Sequence, residues 1–177
     1  MKKLLVLLTL FILVGCSQNT ILKDVTPPKI TLKKNLDTIE INSEWADAGC
    51  EAQDDKDGSI NCTIESNNVD IHKTGEYEVI YKATDSSGNF KQVKRKVTVV
   101  DETKPILTLN PGVDTIKLGS SWVDAGVTVV DNSNEELSHT VSGEVEINQV
   151  GEYVIKYSTI DSSGNKATLS RYVNVVE

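Results

Sequence analysis

Past residue 16, apolar and polar positions alternate along most of the chain. In Tyr77-Glu78-Val79-Ile80-Tyr81-Lys82-Ala83 the side chains at 77, 79, 81 and 83 fall on one face, the two-residue period of a half-buried strand. Tyr153-Val154-Ile155-Lys156-Tyr157 repeats the pattern with its tyrosines in register. Asp85-Ser86-Ser87-Gly88-Asn89 and Asp161-Ser162-Ser163-Gly164-Asn165 separate such runs with turn chemistry: Asp and Ser bond locally to the backbone, and Gly accepts positive φ. Asp57-Gly58 is a further turn signal. No stretch after residue 16 sustains a helical period. Short strands punctuated about every ten residues predict an all-β chain, a sandwich rather than a parallel sheet.

The pattern occurs twice. Asp24-Val25-Thr26-Pro27-Pro28 matches Asp101-Glu102-Thr103-Lys104-Pro105, and Asp37-Thr38-Ile39 matches Asp114-Thr115-Ile116. Ser43-Glu44-Trp45-Ala46-Asp47-Ala48-Gly49 matches Ser120-Ser121-Trp122-Val123-Asp124-Ala125-Gly126, and Gly75-Glu76-Tyr77 matches Gly151-Glu152-Tyr153. Both copies close on a Val-x-Val-Val run. Residues 24–100 and 101–177 are therefore expected to be two domains of one kind. A unit of about 77 residues buries only some 60–65% of its unfolded surface, so each core is small. Trp45 and Trp122 are expected to anchor these cores, and an exposed binding tryptophan is the alternative. Tyr77 and Tyr153, two residues after a glycine at a strand start, match the tyrosine corner of immunoglobulin-like sandwiches.

The first sixteen residues break the β pattern. Lys2 and Lys3 precede an apolar run from Leu4 to Val14, followed by Gly15 and Cys16. Basic start, short hydrophobic stretch and small-residue site are the order of a secretory signal over residues 1–15. This eleven-residue run falls short of the ~20 apolar residues needed to span a bilayer. Leu13-Val14-Gly15-Cys16 resembles the lipobox of bacterial lipoproteins. That resemblance implies a diacylglycerol on the Cys16 thiol and cleavage before it, leaving residues 16–23 as a lipidated tether of at most ~25 Å. Such a protein would attach to a membrane through its N-terminal lipid, on the outer surface or the periplasmic face of a bacterial envelope.

Charge agrees with attachment by lipid alone. The chain carries a formal charge of −8, and removing Lys2 and Lys3 with the signal leaves 16 basic against 26 acidic residues. Such a domain is repelled by anionic headgroups and has no electrostatic footprint for nucleic acid. In an exported chain the remaining cysteines, Cys50 and Cys62, are expected to form a disulfide, on neighbouring strands around the Asp54–Gly58 turn; two free thiols are the alternative. Cys50 aligns with Val127 and Cys62 with His139, so the bond is confined to the first unit. Asn61-Cys62-Thr63 fits a glycosylation pattern by coincidence.

Each unit resembles the immunoglobulin-like domain of bacterial surface proteins that also occurs appended to some pesticidal crystal toxins. The carrying residues are the Asp-x-x-x-Pro openings, Gly119-Ser120-Ser121-Trp122-Val123-Asp124-Ala125-Gly126, the Gly-x-Tyr pairs and Thr84-Asp85-Ser86-Ser87-Gly88-Asn89. The resemblance implies two tandem sandwiches outside the cytoplasm, without catalysis. Asn42 stands for the motif glycine in the first unit, and Asn132 to Glu136 replace the usual Asp-Gly turn in the second.

Enzymatic motifs are absent. The chain has no Gly-x-Ser-x-Gly elbow, His-Glu-x-x-His, phosphate-cradling glycine loop or dinucleotide fingerprint, and its two histidines are not equivalent between copies. No cofactor and no metal site is expected. Asp54, Asp55 and Asp57 before Gly58 fail the EF-hand test, since the twelfth position would be Ile64. A weaker site joining them to Asp47 stays open. The expected function is macromolecular binding or adhesion, with a protein or glycan as partner. Contact is expected through Asn132, Ser133, Asn134, Glu135 and Glu136, read as a loop at the free end of the second unit. A structural spacer or assembly subunit of the envelope, and an inhibitor or phage-exclusion lipoprotein, are the alternatives.

Overall fold

A computed structural model describes residues 23–177 of the chain. Cys16 and the signal-like segment lie outside the described residues. Within them the fold is all-β, and no helix is long and apolar enough to cross a membrane.

In the first unit β1 (Lys29–Leu32), β3 (Cys50–Asp54) and β4 (Gly58–Ile60) form one sheet. The facing sheet runs β2 (Thr38–Glu40), β7 (Phe90–Val100), β6 (Gly75–Thr84), β5 (Cys62–Asn67). The leading segment thus serves both sheets: β1 pairs antiparallel with β3, then β2 crosses over to run parallel to the end of β7. The second unit repeats this with β8 (Ile106–Leu109) beside β10 (Val127–Val130), and with β9 (Thr115–Lys117), β13 (Lys166–Val176), β12 (Gly151–Ile160) and β11 (His139–Ser142). A counterpart of β4 is missing among its described residues. Asp57-Gly58, with Gly58 at φ +74°, closes the β3–β4 hairpin in the first unit, and residues 131–138 run as an irregular loop in the second.

The alternation read from sequence is the one the sheets use. Val79, Tyr81 and Ala83 on β6 face inward, as do Ile155 and Tyr157 on β12. In the first unit Ile39, Ile41, Val97 and Val99 pack with Trp45, Val69, Ile71 and Tyr77. In the second, Val127, Ile155 and Tyr157 pack with Leu107, Leu109, Trp122, Val129, Val145 and Leu169. Full burial of one such aliphatic side chain is worth about 1.5–3 kcal/mol.

Both tryptophans lie against these cores, half-buried, each indole N–H donating to a carbonyl: Trp45 to Leu36 at 3.0 Å and Trp122 to Val113 at 2.8 Å. The corner tyrosines donate to carbonyls four residues upstream, Tyr77 to Lys73 at 2.7 Å and Tyr153 to Gln149 at 2.9 Å.

Cys50 and Cys62 are bonded, with Cα atoms 6.0 Å apart. The strands they join are not neighbours around the Asp54–Gly58 turn, as the spacing suggested. The chain leaves β4 at Ile60 and enters the opposite sheet at Cys62, so the bond ties sheet to sheet. In the second unit Val127 takes the place of Cys50 within the core, and His139 lies edge-on to Tyr157 with ring centroids 6.1 Å apart.

Asn42 and Gly119 show why that motif position favours glycine. Their φ values are +60° and +78°, the left-handed region that Asn enters more readily than most residues with a side chain.

Candidate functional site

Three groupings of polar side chains stand out in the structure. The first is interior. Arg95, on the inward face of β7 with Val93, Val97 and Val99, is 2% exposed. Its Nε donates to Tyr81 Oη at 3.1 Å, Nη1 to Asp37 at 2.9 Å, and Nη2 to the Lys33 carbonyl at 2.7 Å and the Gly49 carbonyl at 3.2 Å. Asp47 lies 3.2 Å from Nε and accepts from Tyr81 Oη. Arg171 is equally buried and reaches Asp114 at 2.6 Å and the Asn110 carbonyl at 2.6 Å, while Tyr157 donates to Asp124 at 2.5 Å. Burial pushes both inner phenols, Tyr81 and Tyr157, above their ordinary value; their aspartate partners add to this and the arginines offset part of it.

This network explains the Asp of the repeated Trp-x-Asp-x-Gly motif: it holds a buried Arg–Tyr pair between the sheets. It also removes Asp47 from any cation site with Asp54, Asp55 and Asp57. The two arginines were missed from sequence, although they occupy an inward position of the strand alternation in both copies.

The second grouping is the junction between the units. Glu40, at the end of β2, accepts hydrogen bonds from the backbone N–H groups of Glu102 (3.0 Å) and Thr103 (3.1 Å), the Thr103 hydroxyl (2.7 Å) and the Asn132 amide (3.1 Å). Burial works to raise the Glu40 carboxyl, but these donors outweigh it and hold it below the usual glutamate value. Asn42 Nδ2 donates to the Asn132 carbonyl at 2.7 Å, and its Oδ1 lies 2.5 Å from His72 Nδ1. Ile41, His72, Lys73, Ser133, Glu135 and Ser162 line a shallow groove there.

Asn132 to Glu136, expected at the free end of the second unit, therefore face the first unit. Strand direction is the reason. Strand β8 leads away from the junction and its antiparallel partner β10 returns to it, so the loop after β10 closes against the first unit. Asn132 is engaged there, Ser133 bonds Asp131 within the loop, and Glu135 accepts from the Ser162 hydroxyl at 2.5 Å. The loops left at the outer end are those around 118–126 and 143–150.

The third grouping is acidic and lies at the base of each unit. Carboxylate oxygens of Asp101, Asp131 and Asp161 lie within 4.8 Å of one another, as do those of Asp24, Asp54 and Asp55. Asp57, included in the sequence-based candidate, turns away and accepts from the Ser86 N–H and hydroxyl. Asp161, like Asp85, caps its own turn by accepting from the Asn165 amide and N–H, and these donors hold it below the usual value against the opposing push of burial. Burial raises Asp101, hydrogen bonding by Ser163 and the Thr103 N–H offsets part of this, and the charges of Asp131 and Asp161 add to the rise.

Nothing among the described residues assembles a nucleophile, base and oxyanion donors. A family model described as bacterial surface protein, Ig-like domain, matches residues 30–99 and 111–175. Hyalin of Strongylocentrotus purpuratus is 30% identical over 172 residues, covering 90% of this chain and 14% of hyalin. The pesticidal crystal protein Cry22Aa of Bacillus thuringiensis is 29% identical over 138 residues, covering 72% of this chain and 19% of that one. This chain thus spans less than a fifth of the length of either relative. A solved structure of the M60 catalytic domain with the CBM51-1 and CBM51-2 domains from Clostridium perfringens ZmpB aligns at 15% identity with a TM-score of 0.42, covering 84% of this chain and 30% of that one.

Proposed function

The chain belongs to the family of bacterial surface-protein Ig-like domains, and from that premise we propose that it is a non-enzymatic envelope protein, lipid-anchored through Cys16, whose second unit presents its outer end to a protein or glycan. The observation that carries this reading is a contrast between equivalent positions. Ile41 at the outer end of the first unit packs into that unit's core, lines the junction groove and is 7% exposed, whereas its counterpart Leu118 is 48% exposed, and Val123 in the same outer loop is 83% exposed. Exposed apolar side chains grouped at a sandwich end have the character of a contact surface. Sandwich loops such as 118–126 and 143–150 are also where recognition usually resides.

Two measurements test the proposal. The natural chain should fractionate with membranes and be shaved by protease added to intact cells, and Cys16→Ser should release it. A Cys16→Ser chain that stays membrane-bound removes the anchor from the reading. Saturable binding to a protein or glycan array should be lost in Leu118→Asp/Val123→Asp with the melting temperature unchanged; no saturable binding by the natural chain removes the recognition role.

The spacer or assembly reading keeps one specific support. Leu118 is the counterpart of Ile41, which lines the groove where this chain's next unit begins, so the open end also fits a further Ig-like neighbour. Concentration-dependent self-association abolished by the same double substitution would favour it over recognition of a foreign partner.

A further inference from the structure

Among the described residues, buried side-chain polar atoms without a hydrogen-bond partner are Asp54 Oδ2, Asp101 Oδ2, Asp131 Oδ2, Asn132 Oδ1 and Arg171 Nε. Three of the five belong to the two acidic clusters. Asp101 is only 8% exposed and Asp54 only 4%. A buried carboxylate oxygen left unpaired carries a desolvation cost, and placing it beside like charges adds to it. Native structures leave few buried polar groups unsatisfied, and a bound ion is one recognised reason for an exception.

The partners of the other oxygens sharpen the point. Asp101 Oδ1 is held by the Thr103 N–H at 3.2 Å, and Asp131 Oδ1 by the Ser133 N–H at 3.0 Å and hydroxyl at 2.5 Å. Each carboxylate is thereby oriented, with its second oxygen buried and unbonded in a cluster no wider than 4.8 Å. Oxygens bound to one calcium ion at 2.3–2.6 Å necessarily lie within about 5 Å of one another. All the side-chain donors are hard oxygens, with no thiolate or imidazole in the cluster, which fits calcium rather than zinc or copper.

We propose that Asp101, Asp131 and Asp161 bind a calcium ion at the base of the second unit, beside the junction. Backbone carbonyls and water complete its coordination. The first unit repeats the arrangement: Asp24 and Asp54 are the counterparts of Asp101 and Asp131, Asp54 Oδ1 is held by the N–H groups of Lys56 and Asp57, and its Oδ2 is unpaired. Asp55 supplies the third carboxylate there in place of the turn aspartate. The junction ion has a structural consequence. It cross-links the start of the second unit, the end of β10 and the β12–β13 turn. Thr103 and Asn132, neighbours of two of its ligands, are the residues that Glu40 holds. Calcium therefore stiffens the connection between the units.

The test uses the full chain stripped with EDTA, titrated with calcium chloride by calorimetry and followed by thermal unfolding, with magnesium chloride in parallel. Saturable binding with a dissociation constant between about 10⁻⁶ and 10⁻³ M is expected, the range of sensor and extracellular sites, together with a raised melting temperature and a weaker response to magnesium. Asp131→Asn should weaken the junction site at least tenfold and Asp54→Asn the first-unit site. In EDTA both variants should melt no lower than the natural chain, because each removes a repelling charge, which separates lost binding from misfolding. Absence of saturable heat and of any melting shift up to about 5 mM calcium overturns the proposal. So does calcium binding that Asp131→Asn leaves unchanged.

Discussion

Arg95 Nε donates to Tyr81 Oη at 3.1 Å, in a space between the sheets where neither side chain has appreciable contact with solvent. The pair is held from outside by Asp37 and Asp47, and it recurs as Arg171 with Tyr157. Removing the guanidinium strands a nearly buried carboxylate and the phenol that donates to it. Arg95→Met should cost about 3–5 kcal/mol, the penalty for breaking a buried charge pair from one side. Urea unfolding is the measurement, and a midpoint within error of the natural chain would show that the network carries no net stability.

The disulfide should act on the first unit alone. It closes a segment of 12 residues and joins opposite sheets. Cys50→Ala/Cys62→Ala is expected to lower the first unit's stability by roughly 3 kcal/mol while the second unit melts as before. Differential scanning calorimetry with and without reductant resolves this, since only one transition should move.

The junction should loosen in acid. Glu40 has its folded-state pKa depressed by the Thr103, Glu102 and Asn132 donors. Its contribution is therefore fully present above the unfolded value of about 4.3 and is lost as pH falls through the depressed folded value. Limited proteolysis at residues 100–105 should accelerate on acidification below about pH 4. In Glu40→Gln the same cut should be faster at neutral pH and less dependent on pH. Identical cleavage of both chains at pH 7 would show that Glu40 does not hold the junction.

Two glycines of positive φ should differ sharply. A Cβ on Gly143 (φ +100°) would lie 2.1 Å from the Val154 carbonyl oxygen, whereas one on Gly164 (φ +94°) would meet nothing within 4 Å. Gly164→Ala bears backbone strain of about 1 kcal/mol. Gly143→Ala also has to displace a strand and should exceed it by about 2 kcal/mol or more. Equal losses in chemical denaturation would mean the β11–β12 loop moves aside freely.

Much of the fold was legible without coordinates. The inward set Tyr77, Val79, Tyr81 and Ala83, the Asp-Ser-Ser-Gly-Asn turns and the corner tyrosines are local patterns, and local backbone preference with a two-residue period suffices to place them. The duplication made each reading twice over. Arg95 and Arg171 escaped because a charged residue on an inward face looks like an exception until its partners are known. Those partners, Asp37 and Asp47, are far along the chain and meet it only across the sandwich.

The misplaced loop has the same origin. Asn132 to Glu136 read correctly as a departure from the usual turn, but which end of the unit they occupy depends on the direction in which β10 runs against β8. The disulfide likewise looked like a link across one hairpin because twelve residues can close within a sheet or between sheets. The all-β class, the two copies and the turns that punctuate them are written in contiguous residues. Which carboxylates converge, which loops meet at the junction and which apolar side chains stay exposed at the outer end follow from the folded arrangement alone. Those are relations between segments brought together by sheet pairing and packing, and pairing direction is invisible to a local pattern.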